Sequence, residues 1–134
     1  KIIKDLQHKL MSYEYSKHLC HQEMFQHLSL QLFSVPQDND LRSLSDVILQ
    51  KEGHIPLLLI ILQKQQEKAS LLIRKTAQTE PNLHCSDLLK YLTQQLGGRG
   101  GGKAELAQGS FEKWIPILDV TNHVKNFLKK NIIN

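Results

Sequence analysis

The residues from Gly97 to Lys103 hold the densest chemical signal in this chain: Gly97-Gly98-Arg99-Gly100-Gly101-Gly102-Lys103 gathers five of its seven glycines around two cations. A segment without side chains lets a backbone come close to another backbone or to a phosphate. Three chemistries fit that composition. The first is a nucleotide-binding loop, since Gly97, Gly102 and Lys103 match G-x-x-x-x-G-K. Ala104, however, stands where a Ser or Thr would hold magnesium, and a helical pattern rather than a strand precedes the glycines. The second is a structural loop that lets two elements cross closely. The third is a grip on a polynucleotide backbone, made of glycine amides with Arg99 and Lys103.

Elsewhere the chemistry is thinner. His18, Cys20 and His21 lie close together, and His84-Cys85 would complete a zinc set if it met them in space. Their spacing matches no zinc module, so a buried Cys and surface His are expected and no metal site is assigned. No G-x-S-x-G or comparable nucleophile signature occurs, and no cofactor is expected. Lys125, Lys129 and Lys130 gather in a region with no acid after Asp119. Lysines late in a helix suit its negative end. On a face bordering the glycines, the same residues would extend a phosphate-binding surface. Lys64, Lys68, Arg74 and Lys75 are weaker candidates of that kind. Trp114, beside Pro116, suits packing at a helix start better than stacking on a base.

These residues need elements to position them. Ile3, Leu6, Leu10, Tyr13 and Cys20 follow a 3-4-3 spacing broken by Lys17, which predicts a helix over roughly residues 1–22. That helix is an amphipathic cover or the end of a coiled coil. Residues 23–134 form the globular domain. Phe25 to Val35 alternates with period two and predicts a strand ended by Val35-Pro36. Asp40 offers an N-cap for a helix carrying Leu41, Leu44 and Ile48 and closing near Gly53. Pro56 to Leu62 is apolar at nearly every position, as a strand covered on both faces must be, and pairs across a polar turn at 65–68 with Ala69 to Ile73. A loop over 76–82 leads to a helix with Leu88, Leu89, Leu92 and Leu96 inward and Gly97 at its end. The glycine loop follows, and then a last helix over about 112–130 with Pro116 in its first turn. The expected fold is α/β (α+β): an N-terminal helix, a small sheet of at least three strands covered by helices, and a Gly-rich loop before the C-terminal helix.

Composition sets the outer bounds. At 134 residues, with 40% hydrophobic and 22% charged residues, the chain fits one globular core. No run of about 18 apolar residues predicts a membrane span. A net charge of +4 suits a polyanionic partner. Two cysteines are too few for a disulfide scaffold and point to a reducing compartment, cytoplasm or organelle matrix. The chain begins at Lys1 without a signal-peptide pattern, as expected of a piece of a longer protein.

The run from Leu96 to Gln108 resembles the G-G-K-G-G-G-R-x-x-x-A-Q signature of the C-terminal domain of alanyl-tRNA synthetases, within the DHH-associated domain family. Arg99 and Lys103 exchange the usual Lys and Arg with charge kept at both places. Gly109-Ser110-Phe111 departs from the small residue and further glycines that usually follow. The order of the remaining elements agrees with the family across nearly the whole chain. The resemblance implies a non-catalytic appendage of alanine–tRNA ligase that contacts the outer corner of the tRNA, where the D- and T-loops meet. It also implies support for aminoacylation and editing of tRNA-Ala. It carries tRNA contact to Gly98, Arg99, Gly100, Gly101, Gly102, Lys103 and Gln108, with Lys125 and Lys129 added by the charge argument. A second reading is an association module that has lost nucleic-acid binding, with Ile3, Leu6 and Leu10 pairing two chains as a homodimer. A third, the substrate-binding half of a DHH phosphoesterase, is disfavoured because the glycine run is not of the G-G-G-H type and no Asp-His-His motif occurs.

Overall fold

The computed structural model describes residues 18–25, 28–36, 40–77, 79 and 83–131. Among them, six strands form one sheet: β1 (Leu19–Phe25), β2 (Leu28–Val35), β3 (Leu57–Gln65), β4 (Lys68–Lys75), β5 (Gly98–Gly102) and β6 (Leu106–Phe111). Three helices cover it: α1 (Leu41–Glu52), α2 (Cys85–Leu96) and α3 (Ile117–Asn131). The strand order is β1-β2-β3-β4-β6-β5. Only β2 and β3 run parallel, because α1 carries the chain back between them. The α+β class expected from the sequence is the class observed.

The periodicities explain the layers. Leu58, Ile60 and Leu62 point to one face with Leu71, Ile73 and Ala107, where Leu88, Leu89 and Leu92 of α2 and Val120, Val124 and Leu128 of α3 cover them. Leu57, Leu59 and Ile61 point to the other face and pack with Phe33 and Leu72 under Leu41, Leu44 and Ile48 of α1. Every residue from Leu57 to Leu62 is fully buried because both faces are occupied. Asp40 caps α1 as expected, its carboxylate accepting from the Arg42 amide at 3.2 Å and the Ser43 hydroxyl at 2.7 Å. The β3–β4 turn tightens to two residues, with Gln66 at φ 59°.

Three expectations are corrected. Leu19–Gln22 belong to a strand, not to the N-terminal helix. His21, Glu23 and Phe25 alternate toward the sheet and the segment pairs antiparallel with β2, which places Cys20 on an exposed edge. Residues 1–17, with Ile3, Leu6 and Leu10, lie outside the described residues. The glycine segment is also not a loop. It is β5, hydrogen-bonded to β6 with Gly98 opposite Phe111 and Gly102 opposite Ala107. The final helix begins at Ile117, because Pro116 stands before it and its carbonyl accepts from the Asp119 and Val120 amides; Glu112 to Ile115 are not helical.

Candidate nucleic-acid interface

The site is built on an edge strand with almost no side chains. All five residues of β5 are exposed, and β6 pairs it on one side only. A chain of glycines has little intrinsic reason to be a strand, so the surroundings impose the geometry. Gly97 ends α2 at φ 80°, a left-handed position that glycine adopts without strain. At the far end, the hairpin tip is tied down by its carbonyls. The α2 amides of Cys85 and Ser86 donate to Ala104 O (2.9 Å) and Lys103 O (3.2 Å), where His84 supplies no side-chain cap. The Lys103 amide donates to Leu106 O at 2.7 Å, and the Lys75 amide to Glu105 O at 3.1 Å. The backbone at Lys103 is therefore fixed at four neighbouring points.

The glycines divide by face. A Cβ on Gly98 would lie 2.4 Å from Ser110 O, one on Gly100 would lie 2.5 Å from Gly109 Cα, and one on Gly102 would lie 2.4 Å from Ala107 Cα. The fold itself excludes side chains at those three positions. A Cβ on Gly101 would meet nothing within 4 Å, and among the described glycines only Gly97 has a positive φ. Nothing among the described residues requires a glycine at 101. The structural reading of the segment thus accounts for Gly98, Gly100 and Gly102 but leaves Gly101 unexplained.

Gly101 shares its face with the charged residues. Along β6, Leu106 packs with the α1-side cluster, so Gln108 and Ser110, two and four residues on, face the same way. Arg99 pairs with Ser110 and Gly101 with Gln108, and paired residues project from the same face. Helix α1 lies against β3 and β4, and Leu106 of β6 is partly buried against the same cluster. Arg99, Gly101, Gln108 and Ser110 consequently form an exposed strip, with Lys103 at its end. None of the ion pairs among the described residues engages Arg99 or Lys103.

Of the residues expected from the sequence, Gly98, Arg99, Gly100, Gly101, Gly102, Lys103 and Gln108 meet on this hairpin. Lys125 and Lys129 do not join it. Lys125 pairs with Glu23 of β1 at 3.2 Å, at the opposite edge of the sheet, and Lys129 stands one turn further along α3. An acid distant in sequence supplies the partner that the region after Asp119 lacks. Arg74 is held by Asp46 and Ser45, and Lys64 sits 5.7 Å from the ring centre of Trp114, which packs on the core. Sequence reasoning missed Arg42, which lines a groove with Gly101, Gly102, Lys103 and Gln108. No spacing signal could have found it, because α1 meets the hairpin only through the fold. Cys20 is exposed on β1, whereas Cys85 is buried at the start of α2 and its thiol is pushed up to about 12 by that burial. The histidine–cysteine set is therefore dispersed, and the described residues hold no group of three or more metal-ligating side chains.

The DHHA1 domain family matches residues 30–130, which include the sheet from Leu30 of β2 onward but not β1. The chain belongs to the DHHA1 domain family. Among its relatives are the alanine–tRNA ligases of Leptospira borgpetersenii, 37% identical over 79 residues, and of Pseudothermotoga lettingae, 30% identical over 100 residues. These stretches cover 58% and 75% of the chain, but only 8% and 11% of the two ligases. The C-Ala domain of Aquifex aeolicus alanyl-tRNA synthetase shares the fold with a TM-score of 0.71 at 20% identity, over 81% of this chain and 98% of that domain. The DHHA1 domain thus has the alanyl-type glycine run expected from the sequence, folded as an edge strand. No helix of the described residues is long and apolar enough to cross a membrane.

Proposed function

We propose that this chain is a tRNA-binding module of an alanine–tRNA ligase. It grips the outer corner of the tRNA through the β5–β6 strip and so supports aminoacylation and editing of tRNA-Ala. The observation that carries this reading is Gly101. Its side-chain position opens to solvent between Arg99 and Lys103, and no contact among the described residues calls for a glycine there. A bare backbone flanked by cations that no ion pair among the described residues engages suits close approach of a sugar–phosphate chain, read by shape and charge rather than by base sequence. The alanine–tRNA ligase relatives support tRNA as the class of partner. The module itself does no chemistry in this reading and needs no cofactor, and its place of work is the cytoplasm or an organelle matrix.

Filter binding of an intact tRNA against an acceptor-stem duplex tests the reading. The intact tRNA should bind more tightly, with little dependence on which tRNA is used. Arg99→Ala with Lys103→Ala should weaken that binding and reduce its log–log salt slope by roughly one to two counterions. Equal affinity for both ligands, or unchanged binding by the double variant, would leave the strip a structural edge and nothing more.

A further inference from the structure

The strip has two ends, and each is built alike. At one end, Lys68 of β4, Gly98, Arg99, Ser110 and Glu112 line a groove, together with Gly97 and Phe111. At the other, Arg42 of α1, Gly101, Gly102, Lys103, Glu105 and Gln108 line a second, together with Leu106. Both grooves therefore bring together two cations, glycine backbone, one neutral hydrogen-bonding residue and one acidic residue. The four cations are exposed, and none enters an ion pair among the described residues. The grooves lie at opposite ends of a five-residue strand, roughly 13 Å apart at about 3.3 Å per residue.

We propose that these grooves are paired ribose-phosphate subsites, a clamp that holds one RNA backbone at two places and distinguishes ribose from deoxyribose. The inference rests on the tRNA reading above and adds Arg42, Lys68, Glu105 and Glu112 to it. Charge matching supports it. Two cations and one carboxylate leave each groove with one net positive charge, which complements a single phosphodiester. A carboxylate is an obstacle in a site for phosphate alone, since it repels the anion. It becomes useful where the ligand also brings a hydroxyl donor, and the 2′-hydroxyl is the donor that RNA has and DNA lacks. The open side-chain position of Gly101 lets the sugar lie against the sheet at one groove, and Gln108 and Ser110 offer hydrogen bonds between the two ends.

The test measures binding of a tRNA transcript and of its all-deoxy counterpart across a salt series, with thermal melts of each variant. Arg42→Ala and Lys68→Ala should each lower the salt slope for the transcript by about 0.7–0.9 without lowering Tm. Glu105→Gln with Glu112→Gln should tighten binding to both ligands and narrow the preference for RNA. A slope reduced by the Arg99/Lys103 double variant but unchanged in Arg42→Ala or Lys68→Ala would remove the clamp and leave the tRNA reading standing. An unchanged RNA-to-DNA ratio in the double glutamine variant would overturn the ribose selection. A wild-type chain that binds neither ligand would sink both proposals at once.

Discussion

Adjacent glycines in β5 separate the roles of the strand. Gly100→Ala drives a methyl against the Gly109 and Gln108 backbone and Leu89, an overpacking that should cost about 1–3 kcal/mol and lower Tm by several degrees. Gly101→Ala meets open space and removes only unfolded-state freedom, so it should leave Tm level or raise stability by about 0.4–1 kcal/mol. Gly101→Val should fold equally well yet weaken tRNA binding, because its branched side chain stands where the nucleic-acid backbone would lie. Melting curves and filter binding on the three variants check this; a Gly101 variant that folds and binds like wild type would remove the strip's claim on a ligand. The glycine density was legible in the sequence, and so was the pairing of Arg99 with Lys103. Which glycine serves the fold and which faces outward was not, since that depends on the register between β5 and β6.

The helix α3 is tied to the opposite edge of the sheet by a small charged set: Glu23 accepts from Lys125 at 3.2 Å and contacts the His21 ring at 3.0 Å. Burial raises the Glu23 carboxyl, but hydrogen bonds and charges from Lys125 and His21 outweigh it, so its pKa falls below the ordinary 4.5. A depressed carboxylate stabilises the fold above its unfolded pKa and loses that contribution as pH falls through the folded value. Glu23→Gln should therefore melt earlier than wild type at pH 7, and the deficit should shrink once the pH drops well below the ordinary carboxylate range. A deficit that stays constant with pH would assign the effect to packing instead. At this scale the sequence was readable where side chains alternate against a core. The strands β2, β3 and β4 and the helices α1 and α2 follow from Leu, Ile and Val spacing. Strand β5 carries no apolar pattern to read. Strand β1 was hidden because Cys20 continued a helical spacing, while its alternation over His21, Glu23 and Phe25 shows only against a partner strand.

Over the whole molecule, the sheet formed by the described residues ends in β1 on one side and β5 on the other, and these strands differ in character. Strand β1 exposes Met24 and Leu19, whereas β5 exposes glycines and Arg99. The association expected through Ile3, Leu6 and Leu10 falls on residues outside the described ones. Sedimentation over a concentration series addresses it: Leu6→Asp with Leu10→Asp should abolish a dimer and keep Tm, and a wild-type chain that stays monomeric throughout ends the idea. The six-strand order was not legible, because the chain leaves β4, forms α2 across one face of the sheet, lays down β5 at the edge and returns with β6 beside β4. The opening amides of α2 at Cys85 and Ser86 donate to the tip carbonyls of Lys103 and Ala104, so the helix cannot keep its first turn protected when the tip lifts. Their exchange with deuterated solvent acts as a built-in clock for the glycine edge, running fast whenever the strip opens and slowing when something holds it shut.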